Sequence, residues 1–377
     1  MTQKTTKNTI QQNNKKTVEI FAYLCKRLYI CHVSNENIHI NTSKPTISDI
    51  AKALNVTPST VSRALAGNTR VSLATREAVK QKAEELGYER NALASSLRKG
   101  TTDTVGMIVP RINRQFFSTV ISGVEAILNP AGYNLIISQS HERTGDEHNA
   151  LMTMLRNQVS GLIISHALAA PDSDLLKTLP KHNFALVQFD RVYSNLNGVT
   201  VTNDNFSGAY QATTHLIKSG YKRIGHLSGD ELSNVYLDRA EGYKKALQDN
   251  GISIDESIIF TDCITRDKGF YGMEKAVQAG CDALYCAGDY AALGAVEYAK
   301  NCNISIPNEF GIVGTGNENF SELMTPSLTT LEQNAFDIGN RVAQAFLDIK
   351  NGETVLENNV IVPMRLVVRE SSRRDKK

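Results

Sequence analysis

The sequence predicts a chain of two parts, three short helices near the N-terminus followed by a larger α/β region with parallel sheets in two lobes. Residues 46–88 place apolar side chains at helical spacing between capping and turn signals. After Thr101, short apolar runs alternate with segments of helix length, as in parallel sheets covered on both faces. At 377 residues the chain is long enough for two or three domains.

The charge distribution separates the same two parts. Residues 1–100 hold 16 basic and 7 acidic side chains, a net charge of +9, whereas the remainder holds 25 basic and 32 acidic side chains, a net charge of −7. A basic N-terminal part favours a polyanionic partner such as nucleic acid, although a disordered basic tail would show the same imbalance.

Cysteine spacing and hydropathy argue against a zinc ribbon, a thioredoxin-type motif, a secretory signal and a membrane span. None of the six cysteines forms a CxxC pair, and the most apolar early stretch, residues 18–33, is interrupted by Lys26 and Arg27. Motifs for nucleophilic, metal-dependent or nucleotide-dependent catalysis are missing as well. We therefore expect a cytoplasmic protein that is not an enzyme and holds no metal or cofactor.

The three helices are predicted from local signals. Thr46 and Asp49 resemble a capping box before the first helix, and Asn55 tolerates the left-handed turn after it. Thr57 is a good N-cap for a second helix that starts with Pro58 and ends near Leu65. A third helix runs from Ser72 to Gly87. The order of small, turn and apolar residues is typical of a helix-turn-helix.

The α/β region contains a series of apolar runs that read as strands. They are residues 105–109, 135–137, 161–164, 185–189, 223–227, 258–260, 283–286 and 311–313, with a last strand at 360–368. Helix-length segments such as 117–128, 208–218 and 239–249 lie between them.

Residues 46–100, TISDIAKALNVTPSTVSRALAGNTRVSLATREAVKQKAEELGYERNALASSLRKG, and the following TVGMIVPRINRQFF closely resemble the LacI/GalR family of bacterial transcription regulators. Later landmarks are HLIKSGYKRIGHLSG, RAEGYKKAL, AGDYAALGA and TPSLTTLEQ. The resemblance extends from residue 45 to about residue 372. It implies an N-terminal helix-turn-helix domain, a hinge helix and a two-lobed α/β domain of the type I periplasmic-binding-protein kind.

By this resemblance, the second helix lies in the major groove of double-stranded DNA and contacts a pseudo-palindromic operator. Pro58 and Ser59 occupy the positions that help to select the operator, and Arg63 matches the arginine that reads a guanine. Thr57, Thr60 and Ser62 are expected to contact phosphates. Thr57 could instead be only a cap, and Arg63 only a solvated charge.

Residues 91–99 resemble the family's hinge helix, which is too short to be stable alone and is expected to fold on DNA. Asn91 begins this segment. Leu97 matches the leucine that wedges into the minor groove, although it could be an ordinary apolar linker residue.

The resemblance also implies a small-molecule effector held between the lobes. Phe116 and Phe117 would enclose it or pack in the core, and Asp190, Arg191, Arg239 and Asp289 would supply polar contacts. Asp289 could instead be a structural cap. A glycine at 316 and a leucine at 237 replace side chains that many members use, so the identity of a sugar cannot be transferred.

These observations predict a sequence-specific regulator, by family default a repressor, that acts as a homodimer under control of a carbohydrate-like effector. The alternative is a solute-binding receptor or an enzyme on the same two-lobed fold, which the helix-turn-helix disfavours. The predicted domains are an extension expected to be disordered at 1–44, the helix-turn-helix domain at 45–90, the hinge helix at 91–100 and the two-lobed domain at 101–377. Within the last, lobe 1 is expected at about 101–217 and 333–360, and lobe 2 at about 218–332 and 361–372.

Overall fold

The computed structural model describes residues 45–88, 102–168, 179, 184–353 and 357–374. The expected N-terminal extension and hinge helix lie outside these residues. The chain divides between residues 91 and 92 into two compact units. Along the described parts of the chain, no helix combines the length and apolar character that crossing a membrane would require.

The described part of the first unit, residues 45–88, contains three helices, α1 (Ile47–Leu54), α2 (Pro58–Leu65) and α3 (Leu73–Glu85). The Asp49 carboxylate accepts a hydrogen bond from the Thr46 N–H at 2.8 Å, and Asn55 takes the left-handed conformation with φ 52°. These local features match those predicted from the sequence.

The core of the first unit joins all three helices. One fully buried side chain comes from each helix, and they are Ile50, Val61 and Val79. The helix-turn-helix prediction is therefore confirmed at the level of packing as well as of helix positions.

The second unit contains two six-stranded sheets. The first sheet has the order β11-β5-β4-β3-β1-β2 and is parallel throughout. Its strands are β1 (Thr104–Val109), β2 (Asn134–Gln139), β3 (Gly161–Ile164), β4 (Ala185–Phe189), β5 (Val199–Asn203) and β11 (Asn359–Val362).

The second sheet has the order β12-β10-β9-β8-β6-β7, and β12 alone runs antiparallel to its neighbour. Its strands are β6 (Ile224–Leu227), β7 (Ile259–Phe260), β8 (Ala283–Cys286), β9 (Gly311–Thr315), β10 (Thr329–Glu332) and β12 (Arg365–Val367). The parallel sheets predicted from strand–helix alternation are confirmed.

Seven helices cover the two sheets within the described residues of the second unit. They are α4 (Gln115–Leu128), α5 (Thr144–Arg156), α6 (Asn205–Lys218), α7 (Asn234–Asp249), α8 (Arg266–Gln278), α9 (Asp289–Asn301) and α10 (Ala335–Asn351). Helices α4 and α10 cross at Gly123 and Gly339, where a Cβ on either glycine would meet the backbone of the other helix. Glycine is needed there because the backbones approach so closely.

The structure moves the lobe boundaries that the sequence suggests. Helix α6 was expected in lobe 1, but its buried face, including Ala209 and Leu216, packs with Tyr221 and Tyr243 in the core of the second lobe. The first crossing between lobes therefore falls near residue 204 rather than 217, because α6 already packs in the second lobe.

The last predicted strand, residues 360–368, is in fact two strands. Strand β11 ends at Val362 in the first sheet, and β12 begins at Arg365 in the second sheet. The chain crosses between the lobes at Pro363, a residue that cannot donate to a strand ladder. Lobe 1 thus extends to about residue 362 instead of 360.

Two strands were missed by the sequence analysis, β5 and β10. Both carry threonines, in VTVTN and TTLE, so neither forms the continuous apolar run that marks the other buried strands. Threonine is β-branched and favours strands, a signal that hydropathy alone does not register.

Candidate functional site

The exposed surface of α2 contains the residues predicted to contact DNA. Pro58, Ser59 and Arg63 are exposed, and Ser62 is partly exposed. No acidic group within the described residues forms an ion pair with Arg63, so its guanidinium faces solvent. The predicted contacts Asn91 and Leu97 lie outside the described residues.

Thr57 has a clear structural task at the start of α2. Its Oγ1 accepts a hydrogen bond from the Thr60 N–H at 3.2 Å and lies 2.9 Å from the hydroxyls of both Ser59 and Thr60. The hydroxyls thus form one connected group at the N-terminus of α2. This end of α2 also favours a phosphate, because the helix dipole is positive there.

A cleft of about 400 Å³ lies between the two lobes of the second unit. All six residues predicted as effector contacts line it: Phe116, Phe117, Asp190, Arg191, Arg239 and Asp289. Asp190 follows β4 directly and Asp289 begins the helix after β8, so both stand beyond carboxyl ends of parallel strands. Ligand sites of open parallel sheets form at this edge.

Asp190 and Arg191 form a buried charged corner on the first lobe. Arg191 donates to the Glu142 carboxylate at 2.6 Å and to the His166 carbonyl at 3.4 Å. Burial raises the pKa of the Asp190 carboxyl, although the neighbouring Arg191 and Arg239 oppose the shift. Asp190 therefore presents to the cleft a carboxyl group that has arginines of both lobes as neighbours.

Arg239 is held in place by the second lobe and by the crossing segment. Its Nε donates to Asn205 Oδ1 at 2.9 Å, and one terminal nitrogen donates to the Ala287 carbonyl at 2.6 Å. The ring of Tyr236 lies 5.9 Å from the guanidinium. Arg239 is thus 5% exposed and rigidly oriented at the cleft wall.

Asp289 has a structural role, but it binds a distant loop and strand instead of capping its own helix, the alternative that the sequence left open. Its carboxylate accepts from Thr330 Oγ1 at 2.6 Å, Ser321 Oγ at 2.7 Å and the Glu318 N–H at 2.9 Å. These bonds hold the loop of residues 316–321 on the cleft wall. Burial nevertheless raises its pKa.

The two phenylalanines differ in their packing. Phe117 is buried against Phe189, with ring centroids 6.3 Å apart, and belongs to the core of the first lobe. Phe116 is half-buried and meets the Phe117 ring edge-on at 5.2 Å. Phe117 therefore acts as core and as cleft lining at once.

Several lining residues were not found from the sequence. They are Arg111, Arg114, Glu142, Tyr236, Asp262, Lys268, Tyr290, Glu318 and Gln333. Arg114 lies two residues before the predicted contact Phe116, and Tyr290 directly follows the predicted contact Asp289, so closeness to these contacts in the sequence could have indicated both. Glu318 gave no such signal, yet burial and the Asp289 charge raise its pKa to about 7.

Comparisons with known proteins agree with both units. Residues 46–91 match the family of bacterial regulatory proteins named lacI, and residues 213–372 match the periplasmic binding protein-like domain. Catabolite control protein A of Priestia megaterium is 32% identical over 332 residues, covering 87% of this chain and 99% of that protein. The transcriptional repressor CytR of Escherichia coli K12 is 29% identical, covering 87% and 96%.

Solved structures show the same arrangement. A complex of the transcriptional regulator CelR with cellobiose is 29% identical, with a TM-score of 0.66, and covers 87% of this chain and 99% of that one. The Lac repressor dimer bound to operator and an anti-inducer shares the fold at 23% identity and a TM-score of 0.77, covering 88% and 99%. The named relatives are regulators of transcription and not enzymes. By its similarity over 87% of its length, this chain belongs to the LacI family of DNA-binding transcription regulators.

Proposed function

We propose that this regulator is a homodimeric repressor whose affinity for its operator is controlled by a sugar or sugar derivative bound in the cleft. The observation that carries the proposal is the convergence of six residues, which the family resemblance indicated as effector contacts, on one cleft between two lobes. A cleft built from both lobes can report occupancy as a change in their relative position.

The chemistry of the cleft suits a polyhydroxy ligand. Five basic and five acidic side chains line it, which gives a formal balance of charge. A sugar hydroxyl both donates and accepts hydrogen bonds, so it can satisfy the Asp190 carboxyl and the Arg239 guanidinium together. The aromatic rings of Phe116 and Tyr290 offer apolar surface for the faces of a sugar ring. The solved relative with bound cellobiose supports this class of ligand.

On the DNA side, α2 presents Arg63 and the exposed Pro58 and Ser59 for contact with base edges. A guanidinium can donate to O6 and N7 of one guanine, whereas Pro58 can read only apolar features such as a thymine methyl. Thr57, Thr60 and Ser62 supply hydroxyls for phosphate contacts. The net charge of +9 in residues 1–100 favours binding to the DNA backbone.

A second copy of the chain would cover apolar surface on the first lobe. Strand β2 lies at the edge of its sheet, and both Ile136 and Ile137 are about 40% exposed. An exposed apolar edge strand favours pairing with another chain. A dimer presents two copies of α2, which matches the two half-sites of a pseudo-palindromic operator.

The crossings between the lobes connect the cleft to both sheets. Asn203 Nδ2 donates to the Gln333 carbonyl at 2.8 Å and to the Val362 carbonyl at 3.4 Å, which joins all three crossing segments. Asn205, two residues further on, accepts from Arg239. Closure around a ligand would therefore act on the hinge that sets the angle between the lobes.

The proposal is tested by a thermal-shift screen of sugars, sugar phosphates and nucleosides on the full chain, followed by a gel-shift assay with the hit. A ligand that binds the native state raises the unfolding midpoint. We expect a hit to lose its shift in Arg239→Ala, measured from that variant's own midpoint, and to alter operator binding. Equal shifts in wild type and variant would place the ligand outside this cleft.

A further inference from the structure

The side chain of Asn234 reaches from the second lobe to the backbone of the first. Asn234 is the first residue of α7, and its Oδ1 accepts from the Val192 N–H at 3.1 Å. Its Nδ2 donates to the Asp190 carbonyl at 3.0 Å. The two backbone groups flank Arg191, so one amide side chain holds the chain on both sides of that residue.

Asp190 has a backbone conformation that needs support. Its φ is 58°, in the left-handed region that is strained for a residue with a Cβ. The Asp190 N–H donates to the Val201 carbonyl of the first sheet at 3.0 Å, and its carbonyl accepts from Asn234. One lobe therefore holds the N–H of this turn, and the other lobe holds its carbonyl.

The same helix carries the main polar contact of the second lobe. Tyr236 and Arg239 follow Asn234 along α7, and both line the cleft. A movement of α7 as one body changes the position of Arg239 and the bonds to Asp190 and Val192 together.

A second contact between the lobes uses different elements. The Asn319 N–H donates to Oε1 of Gln115, the first residue of α4, at 2.6 Å. Beside it, the Arg114 guanidinium lies 3.8 Å from the centroid of the Tyr290 ring. Asn319 belongs to the loop that Asp289 anchors, so this contact depends on neither α7 nor β4 directly.

We propose that Asn234 is a positioning residue of the effector site, which couples closure of the lobes to the arrangement of Asp190 and Arg191. Closure of the cleft and formation of the turn at Asp190 in the first lobe then occur together. Opening the lobes breaks the Asn234 bonds and the Gln115–Asn319 bond together. The role as an effector site rests on the proposed function, but the coupling is measurable without effector or DNA.

The test is hydrogen exchange on the full chain, with peptides that cover residues 190–193 and 317–320. In Asn234→Ala we expect both segments to exchange on the order of tenfold faster, because the two contacts open together. Gln115→Ala should in turn accelerate exchange at residues 190–193. Small-angle scattering should show a larger radius of gyration for Asn234→Ala.

The matched control is Asn250→Ala at the other end of α7. Asn250 Nδ2 donates to the Ala246 carbonyl at 2.8 Å, within the second lobe, so both segments should keep wild-type exchange. Faster exchange at 190–193 alone in Asn234→Ala would show a purely local bond and overturn the proposal.

If Asn234→Ala fails to fold, Asn234→Asp tests the same coupling in the exchange experiment. This variant keeps the acceptor for the Val192 N–H but loses the donor and brings a carboxylate to the Asp190 carbonyl. Wild-type exchange at 317–320 in a folded Asn234→Asp protein would overturn the proposal. Failure to bind an operator would not change these exchange rates, so the two proposals can fail separately.

Discussion

At the scale of single residues, the exposed Arg63 on α2 is expected to contribute to DNA binding, and the buried His226 to stability. Arg63 is exposed and unpaired among the described residues, which leaves its donors available to DNA. We expect Arg63→Ala to cost about 1–3 kcal/mol per half-site and to relax preference at one guanine position. Fluorescence anisotropy on operator variants selected from random DNA measures both effects.

The matched control for Arg63 is Lys80→Ala, which removes an exposed positive charge from α3. It should leave base preference unchanged. A loss in Arg63→Ala that is equal for all DNA sequences would show that Arg63 contacts only phosphate.

His226 predicts a dependence of stability on pH. It is fully buried between the rings of Tyr243 and Tyr285, and its Nδ1 lies 2.9 Å from the Tyr285 carbonyl. Burial lowers its pKa from 6.5 to about 4. The unfolded chain therefore binds a proton at a higher pH than the native protein, so this contribution is present above pH 6.5 and is lost as the pH falls towards 4.

We expect this residue to lower the free energy of unfolding by about 3 kcal/mol across that range. Urea titrations at pH 7 and pH 4.5 should show a smaller pH dependence in His226→Gln, whose side chain can still donate but does not titrate. An unchanged pH dependence in this variant would contradict the assignment.

At the scale of elements, local signals predicted helix caps and turns, whereas tertiary contacts determine which lobe each element joins. The caps at Thr46 and Thr57 and the turn at Asn55 could be read from the sequence because their hydrogen bonds are local. The placement of α6 in the second lobe could not, since its amphipathic pattern fits either sheet. The division of residues 360–368 into β11 and β12 at Pro363 could not be predicted either, because it depends on which strand of each sheet has an unpaired edge.

The cleft shows the same division between local and tertiary information. The family resemblance predicted that Asp190 and Asp289 approach the cleft. It did not predict that the Asp289 carboxylate accepts hydrogen bonds from Ser321, Thr330 and the Glu318 N–H. Those partners lie about 30 to 40 residues further along the chain, so sequence spacing gave no sign of them.

The C-terminal turn, residues 370–372, is an element whose loss we expect to weaken the second lobe. The buried Ser371 Oγ donates to the Ile312 carbonyl at 2.6 Å and accepts from the Thr329 N–H at 2.8 Å. Ser371→Ala removes two hydrogen bonds to buried backbone groups, which should cost on the order of 2–4 kcal/mol. Thermal and urea unfolding measure the loss.

An exposed serine provides the comparison for Ser371. Ser257 Oγ donates to Asp255 at the surface, and Ser257→Ala should change stability by less than about 0.5 kcal/mol. Equal changes in stability from the two substitutions would show that the hydrogen bonds of Ser371 do not stabilise the second lobe.

At the scale of the whole molecule, the basic N-terminal part and the acidic remainder predict a strong dependence of DNA binding on salt. If a dimer neutralises about 6–10 phosphates, affinity should fall on the order of 10³ to 10⁵ between 50 and 200 mM salt. Anisotropy titrations over this range measure the slope. Binding that is insensitive to salt would be inconsistent with recognition through phosphate contacts.

We expect occupancy of the cleft and binding of DNA to share one allosteric equilibrium, which reciprocal titration measures. Effector affinity is measured by calorimetry with and without operator, and operator affinity with and without the same effector. Linkage requires both affinities to change by the same factor, commonly about 5- to 150-fold. We expect equal factors in wild type and no change of either affinity in Arg239→Ala. An effector that binds the cleft but leaves operator affinity unchanged would rule out a shared equilibrium.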